Sequence, residues 1–185
     1  ISAQDCMEIF IGKTVRSEAA RIQAHTGKPL TDAWMAAFYE RRNVRLEAEL
    51  QAIDGALDAV AAVHARLGGR IACASGADRY KVEMQLQKVG LAPYFAGRVF
   101  SGHEMPATKP APDVYLAAAA ALGVPPQRCL VVEDTVTGVT AGVAAGATVV
   151  GFSPSPVGHG SPEALRAAGA VQVLAHLREL PALLG

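Results

Sequence analysis

From residue 53 onward, short apolar segments alternate with stretches of helical length, and this alternation limits the folds open to the chain. The apolar segments suited to strands are residues 70–74, 98–101, 128–132, 147–152 and 170–173. The stretches suited to helices are residues 56–67, 79–89, 112–123, 136–145 and 175–184. The strand segments are apolar throughout rather than alternating, which is typical of a sheet covered on both faces. Helices between successive strands indicate right-handed crossovers, so residues 53–185 are predicted to form an α/β domain with a mostly parallel sheet.

The first fifty residues have a different character. Helical patterns are expected at residues 2–11, 14–27 and 32–51, with Thr31 as the cap of the third helix. No strand pattern occurs there. The change falls at Ile53-Asp54-Gly55, so residues 1–52 are predicted to form a separate helical domain.

Charge and composition exclude several classes of partner. Lys and Arg number 17 and Asp and Glu number 17, so the chain lacks the basic excess expected for binding nucleic acid or a membrane surface. No uninterrupted apolar stretch reaches the length of a membrane span, and residues 1–5 do not resemble a signal peptide. Three cysteines without metal-type spacing fit a reducing compartment. The expectation is a cytoplasmic protein.

Two adjacent carboxylates, Glu133 and Asp134, follow the apolar segment 130–132. Ligands of parallel α/β sheets bind beyond the carboxyl ends of the strands, where these residues are expected. Because the two charges repel each other, a divalent cation would neutralise them, and hard oxygen ligands favour Mg²⁺. The alternative is structural, with Asp134 capping the next helix and Glu133 solvated.

Ser75 and Gly76 follow another predicted strand, where a hydroxyl and backbone N–H groups can hold phosphate oxygens. Lys109 stands before Pro110 in a loop that two prolines stiffen, so its ammonium could neutralise a phosphate or the carboxylates. The alternatives are a helix cap for Ser75 and an ordinary exposed lysine for Lys109. The three elements share one topological position, which favours phosphoryl chemistry.

Two basic residues of the helical domain, Lys13 and Arg16, lie at a predicted helix–helix turn. They are candidates for meeting the remainder of an anionic substrate. Solvated surface charges are the alternative interpretation.

These motifs resemble those of the haloacid dehalogenase-like hydrolase superfamily. Residues 74–76 (Ala-Ser-Gly), 109–115 (Lys-Pro-Ala-Pro-Asp-Val-Tyr) and 131–139 (Val-Val-Glu-Asp-Thr-Val-Thr-Gly-Val) look like its second, third and fourth motifs. Residues 141–146 extend the fourth motif as in the phosphoglycolate phosphatase and β-phosphoglucomutase branch. The resemblance implies a Rossmann-like core, with residues 1–52 as part of a helical cap domain.

The resemblance also implies roles for the candidate residues. Ser75 and Gly76 would bind phosphate oxygens, and Lys109 would stabilise the same charge and orient the nucleophile. Asp134 would hold Mg²⁺ directly, with Glu133 as a second ligand, direct or through water. The implied reaction is hydrolysis of a small phosphorylated metabolite, such as a sugar phosphate or phosphoglycolate, through an aspartyl-phosphate.

One departure from the family pattern is serious. The first motif, an Asp-x-Asp that supplies the nucleophile and part of the metal shell, is not found in this sequence. That motif lies on the central strand of the family's sheet, so we expect a gap in the middle of the sheet. Either the intact protein is expected to carry further N-terminal residues, or the 185 residues alone are expected to be strongly destabilised and inactive.

Other functions remain open. Dehalogenases need no metal, so Glu133 and Asp134 argue against that chemistry. A phosphomutase of the β-phosphoglucomutase type is not distinguished from a phosphatase, and a catalytically inactive phosphate-binding or interaction module fits the absent first motif. A monomer and a homodimer are both compatible with the sequence.

Overall fold

The computed structural model describes residues 15–154 and 160–184. They fall into two compact units, one ending at Glu49 and the other beginning at Leu50. The helix predicted over residues 2–11 lies outside the described residues.

The described part of the first unit consists of two helices, α1 (Ala19–Thr26) and α2 (Asp32–Glu49). Gly27 ends α1 with a φ of 69°, a left-handed conformation that glycine adopts without steric cost. The Thr31 hydroxyl accepts a hydrogen bond from the Trp34 amide at 3.1 Å, so the predicted cap is present.

The second unit alternates helices and parallel strands. Its helices are α3 (Ala56–Arg66), α4 (Arg79–Lys88), α5 (Asp113–Ala121), α6 (Val136–Ala144) and α7 (Pro162–Ala167). Its strands are β1 (Cys73–Ser75), β2 (Val99–Ser101), β3 (Leu130–Glu133), β4 (Thr148–Phe152) and β5 (Gln172–Leu174). This arrangement confirms the predicted Rossmann-like α/β class.

The described strands form two sheets rather than one. β1 pairs with β2, while β3, β4 and β5 pair in that order, and every pairing is parallel. The break separates β1 from β3, which is where the sequence predicts a gap. Among the described strands, β1 and β3 are therefore edge strands with unpaired backbone groups.

The direction of these unpaired groups follows from the pairing. The Cys73 amide donates to the Arg98 carbonyl, and the Thr148 amide donates to the Cys129 carbonyl. Backbone N–H and C=O groups alternate sides along a strand, so those of Ala74 in β1 and of Val132 in β3 point away from the partner strands.

The main core cluster joins helices α5, α6 and α7 to strands β3 and β4. Val139, Val149 and Leu165 are at most 1% exposed. Gly142 lets α6 lie close to the sheet, since a Cβ there would be 2.7 Å from a Val149 methyl group. A second cluster packs leucines of the C-terminal 3₁₀ helix (Leu177–Leu184) against β4 and β5.

The structure differs from the sequence prediction at several elements, including α1, which begins at Ala19 rather than at residue 14. The first strand begins at Cys73 rather than at residue 70, because Gly68 and Gly69 both adopt positive φ and carry the chain through a turn. Helix α7 was missing from the prediction. The tail is a 3₁₀ helix that contains Pro181, a residue without the N–H that an α-helix interior needs.

Candidate active site

The ammonium of Lys109 lies between the two sheets. Its Nζ atom donates to the Ala74 carbonyl at 3.2 Å, on the unpaired side of β1. It also forms an ion pair with Glu133, the last residue of β3. The side chains of Lys109 and Glu133 are 11% and 9% exposed. Lys109 is therefore not the ordinary exposed lysine of the alternative interpretation.

Two further side chains complete this group. The Tyr115 hydroxyl accepts from Lys109 Nζ at 2.8 Å and donates to Glu133 Oε1. The Thr135 hydroxyl donates to Glu133 Oε2 at 3.2 Å. Both oxygens of the Glu133 carboxylate thus have partners in the protein. Burial and the negative charge of Glu133 raise the pKa of Tyr115, so its hydroxyl stays protonated.

Gly138 makes room for the Glu133 carboxylate. A Cβ at position 138 would lie 2.0 Å from Glu133 Cδ, closer than any side chain can approach. Gly138 also donates its amide to the Thr135 hydroxyl at 3.1 Å. The first turn of α6 and the end of β3 are therefore fitted to each other around one carboxylate.

Asp134 follows Glu133 and has a different environment. Its side chain reaches solvent, whereas the surrounding protein and the Glu133 charge raise its carboxyl pKa above the ordinary value. Thr135, not Asp134, caps α6 through its hydroxyl, so the structural alternative for Asp134 is wrong. Asp134 therefore does not cap the helix, and its carboxylate lies next to the negative charge of Glu133.

Ser75 and Gly76 lie at the carboxyl end of β1. The Ser75 hydroxyl accepts from the Ala77 amide at 3.2 Å, which leaves its own O–H free to rotate toward another acceptor. Asp78 caps α4 by accepting from the Lys81 amide at 2.9 Å, so the helix cap is not Ser75. Because Lys109 contacts Ala74, the residue before Ser75, the segments that carry Ser75, Lys109 and Asp134 meet around one ammonium.

The basic residues predicted for the helical domain are placed differently. Arg16 is exposed and pairs with Asp32 of its own unit at 3.3 Å. Lys13 lies outside the described residues. A substrate role for either residue stays a prediction.

The donor set fits a magnesium ion in part. Across residues 15–154 and 160–184, no group of three or more His, Cys, Asp or Glu side chains is close enough to hold a metal. Mg²⁺ keeps several waters and takes only one or two protein carboxylates together with substrate phosphate. Asp134 suits such a ligand, because desolvation and, after it, the Glu133 charge raise its pKa, and a bound cation would stabilise its ionised form. Glu133 already has a cationic partner in Lys109.

Sequence reasoning missed three residues of this group. Tyr115 lies within the motif that resembles the family's third, and Thr135 and Gly138 lie within the fourth, but none was assigned a role. The six-residue spacing between Lys109 and Tyr115 carries no helical periodicity, because a loop separates Lys109 from α5. The signal for Tyr115 was its hydroxyl, a polar group near the start of an otherwise apolar helix, where it needs a hydrogen-bond partner once buried.

Comparisons with known proteins agree with these motifs. Residues 2–146 match the model of the haloacid dehalogenase-like hydrolase family. The chain is 31% identical to 6-phosphogluconate phosphatase of Escherichia coli over 137 residues, which are 74% of this chain and 58% of that protein. In none of the described helices does length combine with enough apolar character to cross a membrane.

Two crystal structures are similar over the whole chain. A conserved haloacid dehalogenase-like protein of unknown function from Agrobacterium tumefaciens is 33% identical, with a TM-score of 0.80 and 82% of its chain matched. A HAD family hydrolase from Deinococcus radiodurans with bound phosphate and sodium is 29% identical, with a TM-score of 0.76 and 80% of its chain matched. The chain thus spans less than two thirds of the phosphatase and about four fifths of each crystallised chain. From the family model and these similarities, the chain belongs to the haloacid dehalogenase-like hydrolases.

Proposed function

We propose that the protein is a Mg²⁺-dependent phosphatase that hydrolyses a small phosphate monoester of the sugar phosphate or phosphoglycolate type. The observation that carries this proposal is the position of Lys109 Nζ, in contact with Ala74 beside Ser75 and with Glu133 beside Asp134. A hydroxyl, an ammonium and a carboxylate pair around one point suit the positioning and charge neutralisation on which phosphoryl transfer depends.

Three residues of this chain are proposed to bind the phosphate, each through a different group. Ser75 would donate its hydroxyl proton to a non-bridging oxygen, assisted by backbone N–H groups from Gly76 onward. Lys109 would neutralise part of the same charge. Its ion pair with Glu133 keeps the ammonium at the end of the sheet in the absence of phosphate.

Asp134 is the residue proposed to hold Mg²⁺, with Glu133 as a second ligand through water. Glu133 is better suited to the indirect role, because Lys109, Tyr115 and Thr135 already contact its carboxylate. The ion would supply positive charge to the phosphate oxygens. The phosphatase similarity to the Escherichia coli protein supports the same chemistry.

The family resemblance implies an aspartate nucleophile, and no residue of this sequence is assigned to that role. An aspartyl-phosphate intermediate is therefore proposed on an Asp-x-Asp motif outside these 185 residues. Residues 1–52 are proposed to form part of a cap domain, with Lys13 and Arg16 as candidate substrate-binding residues. A cytoplasmic location and a monomer or homodimer remain predictions from the sequence.

Hydrolysis of p-nitrophenyl phosphate by the full-length gene product tests this proposal. We expect turnover with Mg²⁺ that is lost with a chelator, and a loss of at least a hundredfold in kcat for Asp134→Asn, since charge stabilisation is a large share of this catalysis. Asp58→Asn, an exposed change on α3, is the matched control and should retain activity. Absence of turnover on a panel of phosphate monoesters would favour a phosphate-binding module instead.

A further inference from the structure

We propose that Tyr115 is a positioning residue that fixes the ammonium of Lys109, so that one of its three N–H groups stays on the β1 side of the site, next to Ser75. This inference rests on the proposed function, because it concerns how the same site receives a phosphate oxygen. It assigns a role to a residue that touches neither the expected phosphate nor the expected metal.

Two separate contacts tie the Lys109 ammonium to Tyr115. The hydroxyl of Tyr115 accepts a hydrogen bond from Nζ at 2.8 Å, and Nζ lies 4.6 Å from the centre of the aromatic ring. A cation within about 6 Å of a ring face is attracted to it. Tyr115 is only 8% exposed and belongs to the main core cluster, so its ring cannot follow a moving lysine.

The direction of the Tyr115 hydroxyl is also fixed. Its proton is donated to Glu133 Oε1, so its lone pairs are left for Lys109. Glu133 is in turn positioned by a hydrogen bond from the Thr135 hydroxyl, and Gly138, which has no side chain, leaves room for its carboxylate. Tyr115 therefore holds the Lys109 ammonium in a fixed position relative to helix α5 and to the β3–α6 turn.

Counting the ammonium protons shows which of them a phosphate can take. A lysine ammonium has three N–H groups, and here the acceptors are Glu133, Tyr115 and the Ala74 carbonyl. The Ala74 bond is the longest of the three at 3.2 Å, and its acceptor is neutral. A phosphate oxygen beside Ser75 would compete for this third N–H, because a charged acceptor binds an ammonium more strongly than a carbonyl does. The other two bonds keep Nζ in place during the exchange.

Tyr115→Phe isolates this role, because phenylalanine keeps the ring contact and the packing but removes both hydrogen bonds. In the full-length protein labelled with ¹⁵N at lysine Nζ, we expect the Lys109 ammonium protons to exchange with water at least threefold faster in this variant. The Lys109 signal is assigned from its absence in Lys109→Met. Tyr94→Phe is the control, since Tyr94 contacts His64 away from this site, and its exchange rate should equal that of the wild type.

The same variants are assayed with p-nitrophenyl phosphate and Mg²⁺. We expect kcat of Tyr115→Phe to fall about tenfold with KM within twofold, because a less constrained ammonium is less well aligned in the transition state than in the ground state. If Tyr115 contributed only to stability, Tyr115→Phe would lower the unfolding temperature but would not lower kcat at an unchanged KM.

Three results would overturn the inference. One is an unchanged ammonium exchange rate in Tyr115→Phe, and another is an unchanged kcat in an active protein. The third needs no variant: Lys109 protons in the wild type that exchange as fast as those of the exposed Lys88. If the wild type hydrolyses no phosphate ester, the proposed function fails, whereas the exchange measurements still decide the role of Tyr115.

Discussion

At the scale of single residues, Lys109 contacts both sheets. One ammonium contacts the free edge of β1 and the last residue of β3. A buried ion pair costs free energy to desolvate, and removing one partner leaves the other charge without compensation. Removing either Lys109 or Glu133 alone is therefore expected to destabilise the fold.

We therefore expect Lys109→Met to destabilise the protein by about 3 kcal/mol, because it leaves the Glu133 carboxylate buried without its cation. Urea denaturation measures this difference. Lys88→Met, an exposed change on α4, should alter stability by less than about 0.5 kcal/mol. The double variant Lys109→Met/Glu133→Gln should be more stable than Lys109→Met, and a double variant that is no more stable would contradict the unpaired-charge explanation.

Asp134 gives a dependence of stability on pH. Its pKa is raised by desolvation from the surrounding protein and by the Glu133 charge, so the folded protein binds its proton more tightly than the unfolded chain does. The contribution of this group to stability is then lost as pH rises from the ordinary aspartate value, about 4, through the raised value. In the presence of a chelator, we expect Asp134→Asn to unfold at a higher temperature than the wild type at neutral pH.

That advantage of Asp134→Asn should disappear below pH 4, where the wild-type carboxyl is protonated in both states. Thermal unfolding from pH 3.5 to 7.5 measures the trend. An asparagine variant that is less stable than the wild type at neutral pH would show that the surroundings of Asp134 do not disfavour its ionised form.

At the scale of elements, helix starts position the site. The turn after β1 ends in the Asp78 cap, and the turn after β3 ends in the Thr135 cap. Arg79, the first residue of α4, donates to both oxygens of Glu104 at 2.6 Å, which ties this helix to the turn after β2. The guanidinium holds the pKa of Glu104 below its usual range.

We expect Asp78→Ala to destabilise the protein by about 1 kcal/mol, because the Lys81 amide loses its acceptor at the start of α4. Asp78→Asn retains a side-chain oxygen and should keep most of that stability. Chemical denaturation compares the two variants. Equal stability losses in both would mean that the charge of Asp78, rather than its capping hydrogen bond, matters.

At the scale of the whole molecule, the break between the sheets decides which backbone groups are protected. The backbone groups of Val131 face β4, whereas those of Val132 face the break, and Val132 is 36% exposed. Ala74 faces the break from the other side. In this 185-residue chain the amides on the two sides of each edge strand therefore have different surroundings.

We expect the amides of Ala74 and Val132 to exchange with solvent at least about tenfold faster than that of Val131, because only the Val131 amide points toward a partner strand. Hydrogen exchange followed by NMR resolves the individual amides. Full-length protein should show Ala74 and Val132 protected if a further strand fills the break. Equal protection of all three amides in the 185-residue chain would mean that the break is closed in solution.

The predictable parts of the fold were those with a local signal. Strand β4 differs from its predicted range by one residue at its start, because an apolar run bounded by glycine and a loop is distinctive. Helix α7 was missed although its start carries a local signal, with Ser161 as the cap and Pro162 in the first turn. Strand β1 is shorter than the apolar segment that predicted it, because pairing with β2 begins only at Cys73.

The sequence by itself determined the family, the parallel α/β class and the segments that carry Ser75, Lys109, Glu133 and Asp134, because these depend on residue type and spacing. Only the tertiary structure decided that Lys109 pairs with Glu133, that Tyr115 joins them, and that Thr135 rather than Asp134 caps α6. The physical reason is that hydrogen-bond partners of a buried ammonium are chosen by three-dimensional distance. Residues 74, 109, 115 and 133 are brought together by strands and helices that no local pattern relates to one another.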